Sequence, residues 1–408
     1  MRTAIAHDWL PVYSGAEQVV SRIMDVVGPS DLFTLFDFLS DSDRKRLGAA
    51  NINVSHLSKL PFVEKFYRYS FPLCPNAIES FDLSPYDLVI SSSAAFAKGV
   101  IIHPHQKHIA YIHTPARYAW DQTFEYLAKT RFSKFPFGPF LAHSLHRLRL
   151  WDARTAHGPD VFIANSTIVK RRIEQIYGRQ SIVIHPPVDT QQFPLCEEKD
   201  DYYVVASRLV PYKRIDLIVD AFSRLPNKRL LVVGDGPDKQ RLMTGATPNV
   251  EFRGHVPRRE LVETIRRAKA FIFAGCEDFG IVMAEALAAG TPVIAYRRGG
   301  AADIVTPLGQ EKPTGILFDR QDQATVVEAI QQFEANKASI HAADCHMKAQ
   351  AFSVAAFQSR FQNLIDAVMA PTFTRGAFEE ASRAGPARSV APVSLRARTG
   401  VEALEPVG

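Results

Sequence analysis

Short apolar runs alternate with helical patterns along almost the whole chain, and nothing else in it restricts the fold so strongly. Strand-length runs stand at 3–6, 88–91, 108–112, 161–164 and 182–184. They recur at 203–206, 230–233, 250–252, 270–273, 293–295 and 315–318, with helical patterns such as 215–225 and 259–267 between them. Strands that alternate with helices pair in parallel, because the helix carries the chain back to the starting edge. The expectation is an α/β protein whose parallel sheets are covered by helices on both faces.

At 408 residues the chain exceeds one ordinary core, so two domains are expected. The break falls at 185–201, where proline, polar residues and charge gather without periodicity. This divides the chain into a Rossmann-like domain 1–188, a linker 189–200 and a second Rossmann-like domain 201–353. A last helix, 354–369, is placed to pack back on the first domain. Residues 371–408, rich in Ala, Arg, Ser and Pro, are expected to be disordered. Two open sheets that face each other bring the carboxyl ends of both strand sets around one cleft, where ligands of such folds bind.

Composition removes several classes. A net charge of +5 is too weak to argue for nucleic acid. The four cysteines form no C-x-x-C pair, which argues against a zinc site or a disulfide framework and suits a reducing cytosol. No uncharged apolar stretch is long enough to span a bilayer, and His7 and Asp8 come too early for a signal-peptide core.

Within 277–285, Glu277 and Glu285 stand eight positions apart around Gly280, Ile281 and Val282. If the whole segment is helical, both carboxylates lie nearly on one face. If the helix starts near Gly280, Glu277 sits in the loop above it and free N–H groups point out between the two acids, ready for an anion. Carboxylates grip sugar hydroxyls and helix N-termini grip phosphates, so a nucleotide sugar answers both. The same acids would also suit an ordinary helix start and a solvated helix position.

Arg208 and Lys213 follow the first strand of the second half and offer fixed cations at a strand end. Gly234-Asp235-Gly236-Pro237 is a tight turn after a strand, and no G-x-G-x-x-G occurs there or after the first strand, which disfavours a dinucleotide dehydrogenase. Gly15 stands at the mouth of a helix, open to close ligand approach or simply following a Ser14 cap. His113 lies in a crowded strand-end segment with Arg117, Tyr118 and Asp121. His103, His105 and His108 are too loosely spaced for a metal, and Asp41-Ser42-Asp43 reads as a helix start. The segments 59–73 and 131–151 mix basic and aromatic residues. That pattern suits an anionic membrane surface or an inter-helix core with snorkelling arginines.

Together Glu277 to Glu285 (an E-x7-E pattern), Arg208, Lys213, the 234–237 turn, Gly254-His255-Val256 and Gly299-Gly300 resemble the retaining GT-B glycosyltransferases of the group 1 and family 4 type. The segment 113–118 looks most like bacterial GDP-mannose-dependent mannosyltransferases of O-antigen or exopolysaccharide synthesis. The resemblance implies that Arg208 and Lys213 neutralise the departing diphosphate, Glu277 binds the donor sugar and His113 contacts it near the reacting carbon. The N–H groups of Phe279, Gly280, Ile281 and Val282 would hold sugar and phosphate. Glu285 would bind the ribose, Gly254, His255 and Val256 would flank the base, Gly234 would belong to the donor site, and Gly15 would admit the diphosphate. It further implies a lipid-linked saccharide acceptor, peripheral attachment at the inner face of the cytoplasmic membrane, and no metal or cofactor. One departure stands in the first loop, where Ser14-Gly15 replaces the Gly-Gly of many relatives and puts that phosphate contact in question. A UDP-sugar donor, a nucleotide-sugar epimerase and a non-catalytic nucleotide-sugar-binding protein are the competing readings.

Overall fold

The computed structural model describes residues 1–129 and 137–383. Two parallel sheets organise them. The first contains β1 (Thr3–His7), β2 (Asp31–Thr34), β3 (Asn51–Val54), β4 (Leu88–Ser93), β5 (Lys107–Ile112), β6 (Val161–Ala164) and β7 (Ile182–Val183), in the order β3-β2-β1-β4-β5-β6-β7. The second contains β8 (Tyr203–Ala206), β9 (Leu230–Val233), β10 (Val250–Gly254), β11 (Ala270–Phe273), β12 (Val293–Tyr296) and β13 (Gly315–Phe318), in the order β10-β9-β8-β11-β12-β13. In each sheet the order reverses beside its first strand, between β1 and β4 and between β8 and β11. Ligands settle at such switch points.

The central strands are buried on both faces, as at β1, β4, β8 and β11, and this is why they read as unbroken apolar runs. Sequence reasoning missed β2 and β3. Asp31–Thr34 offers only two apolar residues. Asn51–Val54 is an exposed edge strand carrying two asparagines, where pairing to a neighbour overrides weak β propensity.

The segment after the first sheet does not hang free. Val188 N–H bonds the Phe352 carbonyl and Cys196 N–H the Ala289 carbonyl, while Phe193 is fully buried in the second core. The helix Val354–Met369 lays Phe357, Phe361, Leu364, Ile365 and Val368 against Ile5, Val19 and Tyr111 of the first domain. The expected disorder from residue 371 is corrected for its first part. Arg375–Arg383 is a helix, held by Arg179 Nε to Glu379 at 2.7 Å and by Arg375 to the His157 carbonyl at 2.8 Å. Amphipathic spacing in those nine residues was masked by the low-complexity sequence that follows. Residues 384–408 lie outside the described residues, as do 130–136 of the second basic-aromatic segment. Among the described residues, no helix is long and apolar enough to cross a membrane.

A lysine and an aspartate pair deep in the first domain. Lys98 Nζ lies 2.7 Å from Asp152 Oδ1 and also reaches the Asp152 carbonyl and Thr155 Oγ1 at 2.8 Å. Trp120 Nε1 and the Tyr177 hydroxyl donate to the same carboxylate. Burial pulls the ammonium down, and Asp152 opposes that shift. Removing one partner leaves an uncompensated charge in the core. Lys98→Met is therefore expected to lower the unfolding free energy by about 3–5 kcal/mol, measured by denaturant titration.

Candidate functional site

Loops from the carboxyl ends of six strands meet in one cleft of about 460 Å³, with Asn165 after β6 and Pro186 after β7 in its lining. The loop after β1 brings Gly15, β5 brings His113, β8 brings Arg208 and Lys213, and the loop after β11 brings Glu277, Phe279 and Gly280. Ile281 and Val282, at the start of the helix Ile281–Ala288, complete the set. Nine of the sequence-derived candidates thus share one lining. A Cβ added to Gly15 would stand 3.1 Å from Ile281 Cδ1, so this glycine lets the two domains approach closely here.

Of the two geometries open for 277–285, the structure adopts the second. The helix starts at Ile281 with Gly280 in the left-handed region as its cap. Glu277 lies in the loop above, and Ile281 and Val282, whose N–H groups have no intrahelical partners, line the cleft. The loop is braced from behind. Gly300 N–H bonds the Glu277 carbonyl at 2.8 Å, and a Cβ on Gly300 would fall 2.1 Å from the Phe279 carbonyl oxygen. Phe279 is buried, stacked on His185 with ring centres 5.4 Å apart and edge-on to Phe352.

The electrostatics separate the two cations. Lys213 contacts the Glu277 carboxylate directly, and burial pulls its ammonium down to about 8. Arg208 is exposed on the cleft and makes no ion pair with any described residue. Its planar fork is therefore free for an incoming anion.

The other candidates stand apart from the lining. Glu285 is buried inside the helix and pairs with Arg258 at 2.6 Å. Gly234 N–H donates to the Gly254 carbonyl at 2.8 Å, which ties the turn after β9 to the end of β10. His255 is exposed and Val256 packs against the second core. Of the three histidines weighed for a metal, His108 is buried in β5 against Ser91 Oγ, and the His103 and His105 rings lie 5.9 Å apart. Among the described residues no three His, Cys, Asp or Glu side chains gather as metal ligands. Ser40 caps the helix Asp41–Leu47, with Asp41 and Asp43 in its first turn.

Sequence reasoning missed the groups that support the lining. Asp8 is buried, and its carboxylate accepts four backbone N–H bonds from Ala94, Ala95, Phe96 and Ala97 at 2.5–2.8 Å, fastening the loop after β1 to the loop after β4. Asn165 Nδ2 donates to the His113 carbonyl at 2.8 Å. Burial pushes the His113 imidazole down to about 3, so it is neutral at physiological pH. Across the cleft, Arg172 pairs with Asp278 and Arg117 approaches the same carboxylate at 4.0 Å. Thr167 N–H, at the start of another helix, bonds Asp303 at 2.7 Å. These contacts join residues more than a hundred positions apart, and the only local sign of them was charge at strand ends.

Comparisons with known proteins agree with this geometry. Residues 34–192 match the model described as Glycosyltransferase Family 4, and residues 189–352 match the model described as Glycosyl transferases group 1. The sulfoquinovosyl transferase SQD2 of Arabidopsis thaliana is 30% identical over 220 residues, covering 52% of this chain and 41% of that protein. A GDP-mannose-dependent monoacylated alpha-(1-6)-phosphatidylinositol monomannoside mannosyltransferase of Corynebacterium glutamicum is 31% identical over 194 residues, covering 40% of this chain and 50% of that protein. The chain thus spans about half the length, or less, of these curated relatives. Among solved structures, Anabaena Alr3699/HepE in complex with UDP-glucose superimposes with a TM-score of 0.64 at 16% identity, over 90% of this chain and 100% of that one. Sucrose-phosphate synthase from Thermosynechococcus elongatus gives 0.63 at 19% identity, over 90% and 98%. The two matches stand in tandem along the chain, and its fold is GT-B.

Because Gly300 has no room for a side chain, Gly300→Ala must displace the loop that carries Glu277 and Phe279. Nucleotide affinity is expected to fall by about ten-fold, roughly 1.4 kcal/mol, in calorimetric titration.

Proposed function

We propose that this protein is a retaining glycosyltransferase that moves a hexose, mannose from GDP-mannose, onto a lipid-linked saccharide in cell-surface polysaccharide synthesis. The observation that carries the reading is the convergence of two cations, one carboxylate and a helix N-terminus on a single cleft between two Rossmann-like sheets. Each part answers one part of a sugar nucleotide. Negative charge builds on the diphosphate as the glycosidic bond breaks, and Arg208, Lys213 and the N–H groups at Ile281 and Val282 are fixed where that charge would develop. Such preorganised groups stabilise the leaving group without reorganising water. Glu277 then grips the sugar hydroxyls, with Lys213 beside it linking sugar and phosphate recognition. The acceptor attacks from the face the leaving group vacates, which retains the anomeric configuration without a covalent enzyme intermediate. No metal or cofactor enters this scheme, because the side-chain cations supply the countercharge.

Glu285, paired with Arg258, serves the ribose at the edge of the site. The relatives span mannosyl and sulfoquinovosyl transfer, so the sugar is the part of the reading that most needs measurement. A panel of GDP-mannose, UDP-glucose, UDP-galactose and UDP-N-acetylglucosamine, scored by nucleotide release with membrane lipid extract as acceptor, tests it. Release only from a UDP-sugar overturns the mannose assignment. Tight nucleotide binding with no release from any donor favours the non-catalytic reading.

Attachment to the membrane belongs to the same reading. Phe62, Phe66, Tyr69, Phe140 and Leu150 are exposed on the first domain among Lys59, Lys65, Arg68 and Arg147, whereas Tyr67 and Phe71 turn into its core. Exposed aromatic and basic side chains suit an anionic lipid surface at the inner face of the cytoplasmic membrane.

Lys213→Ala and Glu277→Ala are expected to lower turnover about a hundred-fold or more, with unchanged circular dichroism and with wild-type activity insensitive to excess chelator. The pH dependence follows from Lys213. Its charge is present below about 8 and is lost as pH rises through that value, so kcat/KM for the donor should decline on the alkaline side. Lys213→Arg keeps the cation and should remove that decline while lowering the plateau.

A further inference from the structure

Behind His113 runs a single file of buried polar side chains that the scheme above does not use. Ser92 Oγ lies 2.8 Å from His113 Nε2. His7 Nδ1 lies 3.1 Å from both Ser92 Oγ and the Ser92 carbonyl oxygen. His7 Nε2 faces Glu17 Oε1 at 3.8 Å. The other Glu17 oxygen accepts from Ser14 N–H at 3.0 Å and from Ser14 Oγ at 2.8 Å. His7, Ser92 and Glu17 are all buried, on β1, on β4 and on the helix Gly15–Val27.

Counting protons gives the file a direction. A carbonyl oxygen only accepts, so His7 Nδ1, shared between that carbonyl and the Ser92 hydroxyl, carries a hydrogen. His7 Nε2 faces the Glu17 carboxylate at 3.8 Å, beyond hydrogen-bond reach. Burial raises the Glu17 carboxyl, but its contacts with His7 and Ser14 outweigh this and hold it below the usual range, which keeps it charged. The Ser92 oxygen accepts from His7, so its own hydrogen goes to its remaining neighbour, His113 Nε2. A neutral imidazole that accepts at Nε2 has its one hydrogen on Nδ1. His113 Nδ1 has no hydrogen-bond partner among the described residues and is not one of their buried unpartnered atoms. It therefore opens on the cleft that His113 lines.

We propose that His7 and Ser92, with Glu17 behind the His7 ring, are positioning residues that fix His113 as an Nδ1–H donor toward a hydroxyl oxygen of the sugar in the cleft. The proposal rests on the sugar-nucleotide reading of that cleft. It makes His113 a reader of the sugar and removes it as the base that activates the acceptor. It also assigns a role to the buried His7–Glu17 pair, which otherwise would be a polar interior with no task.

The test reads the tautomer without any substrate. In protein labelled with ¹⁵N-histidine, the His113 signals are assigned by their loss in His113→Gln, and long-range proton–nitrogen spectra report each ring nitrogen. The expected result is a protonated Nδ1 and an unprotonated, accepting Nε2 in the ligand-free wild type. His7→Leu removes the donor that turns the Ser92 hydrogen toward His113, and Ser92→Ala removes the hydroxyl. Both should shift His113 toward Nε2 protonation and lower kcat/KM for the donor by about ten-fold, the effect of roughly one hydrogen bond to the reacting substrate. Ser92→Thr, which restores the hydroxyl, should recover the Nδ1 tautomer. Wild-type His113 protonated at Nε2 overturns the proposal, as does unchanged kcat/KM in both His7→Leu and Ser92→Ala. Absence of nucleotide release from every donor, with the tautomer as stated, fails the functional reading and upholds the proton arrangement.

Discussion

The structure depends on one constraint: a parallel sheet buried on both faces has no side on which to carry chemistry, only an end. Strands such as β1, β4, β8 and β11 are solvent-free throughout, so polar side chains that must meet a ligand are pushed into the loops at their carboxyl termini. Two sheets placed end toward end double that loop supply. Gly15 and His113 come from one rim, and Arg208, Lys213 and Glu277 from the other. The cores themselves hold few charges, and those they hold are satisfied locally, as Lys98 is by Asp152.

Within the cleft, charge is arranged unequally. Lys213 is already matched to Glu277, whereas Arg208 waits in solvent without a carboxylate. An anionic ligand therefore meets one cation that must share its partner and one that need not. Compact ammonium and planar guanidinium are suited to those different tasks. The neutral imidazole of His113 adds polarity to the first-domain side of the cleft without adding charge.

Much of this was legible in the sequence, for identifiable reasons. The strands of the second sheet other than β10 are buried through their whole length and were readable as apolar runs, because both of their faces are covered. β2 and β3 lie toward one edge, carry polar residues, and gave no such signal. The cleft residues that come from local patterns at strand ends, such as Lys213 and Glu277, could be named in advance. The residues behind them could not. Asp8 binding the loop after β4, Asn165 holding the His113 carbonyl, and Arg172 reaching Asp278 are meetings of distant chain segments. Spacing along the chain carries no trace of them. The helix Arg375–Arg383 was hidden for another reason, since its composition resembles the sequence that follows it and only its docking against Arg179 and His157 gives it a fixed place.

Glu277 and Asp278 are consecutive, yet they answer to different domains. Glu277 is engaged by Lys213 of its own domain, while Asp278 is gripped by Arg172 of the other. Two adjacent peptide units therefore couple the first domain to the cleft. Any parting of the domains must break the Asp278 anchorage and loosen the carboxylate one residue away, while Gly300 still braces the loop from behind. Ligand grip and interdomain clamping become a single mechanical variable, in which one cannot be relaxed while the other stays taut.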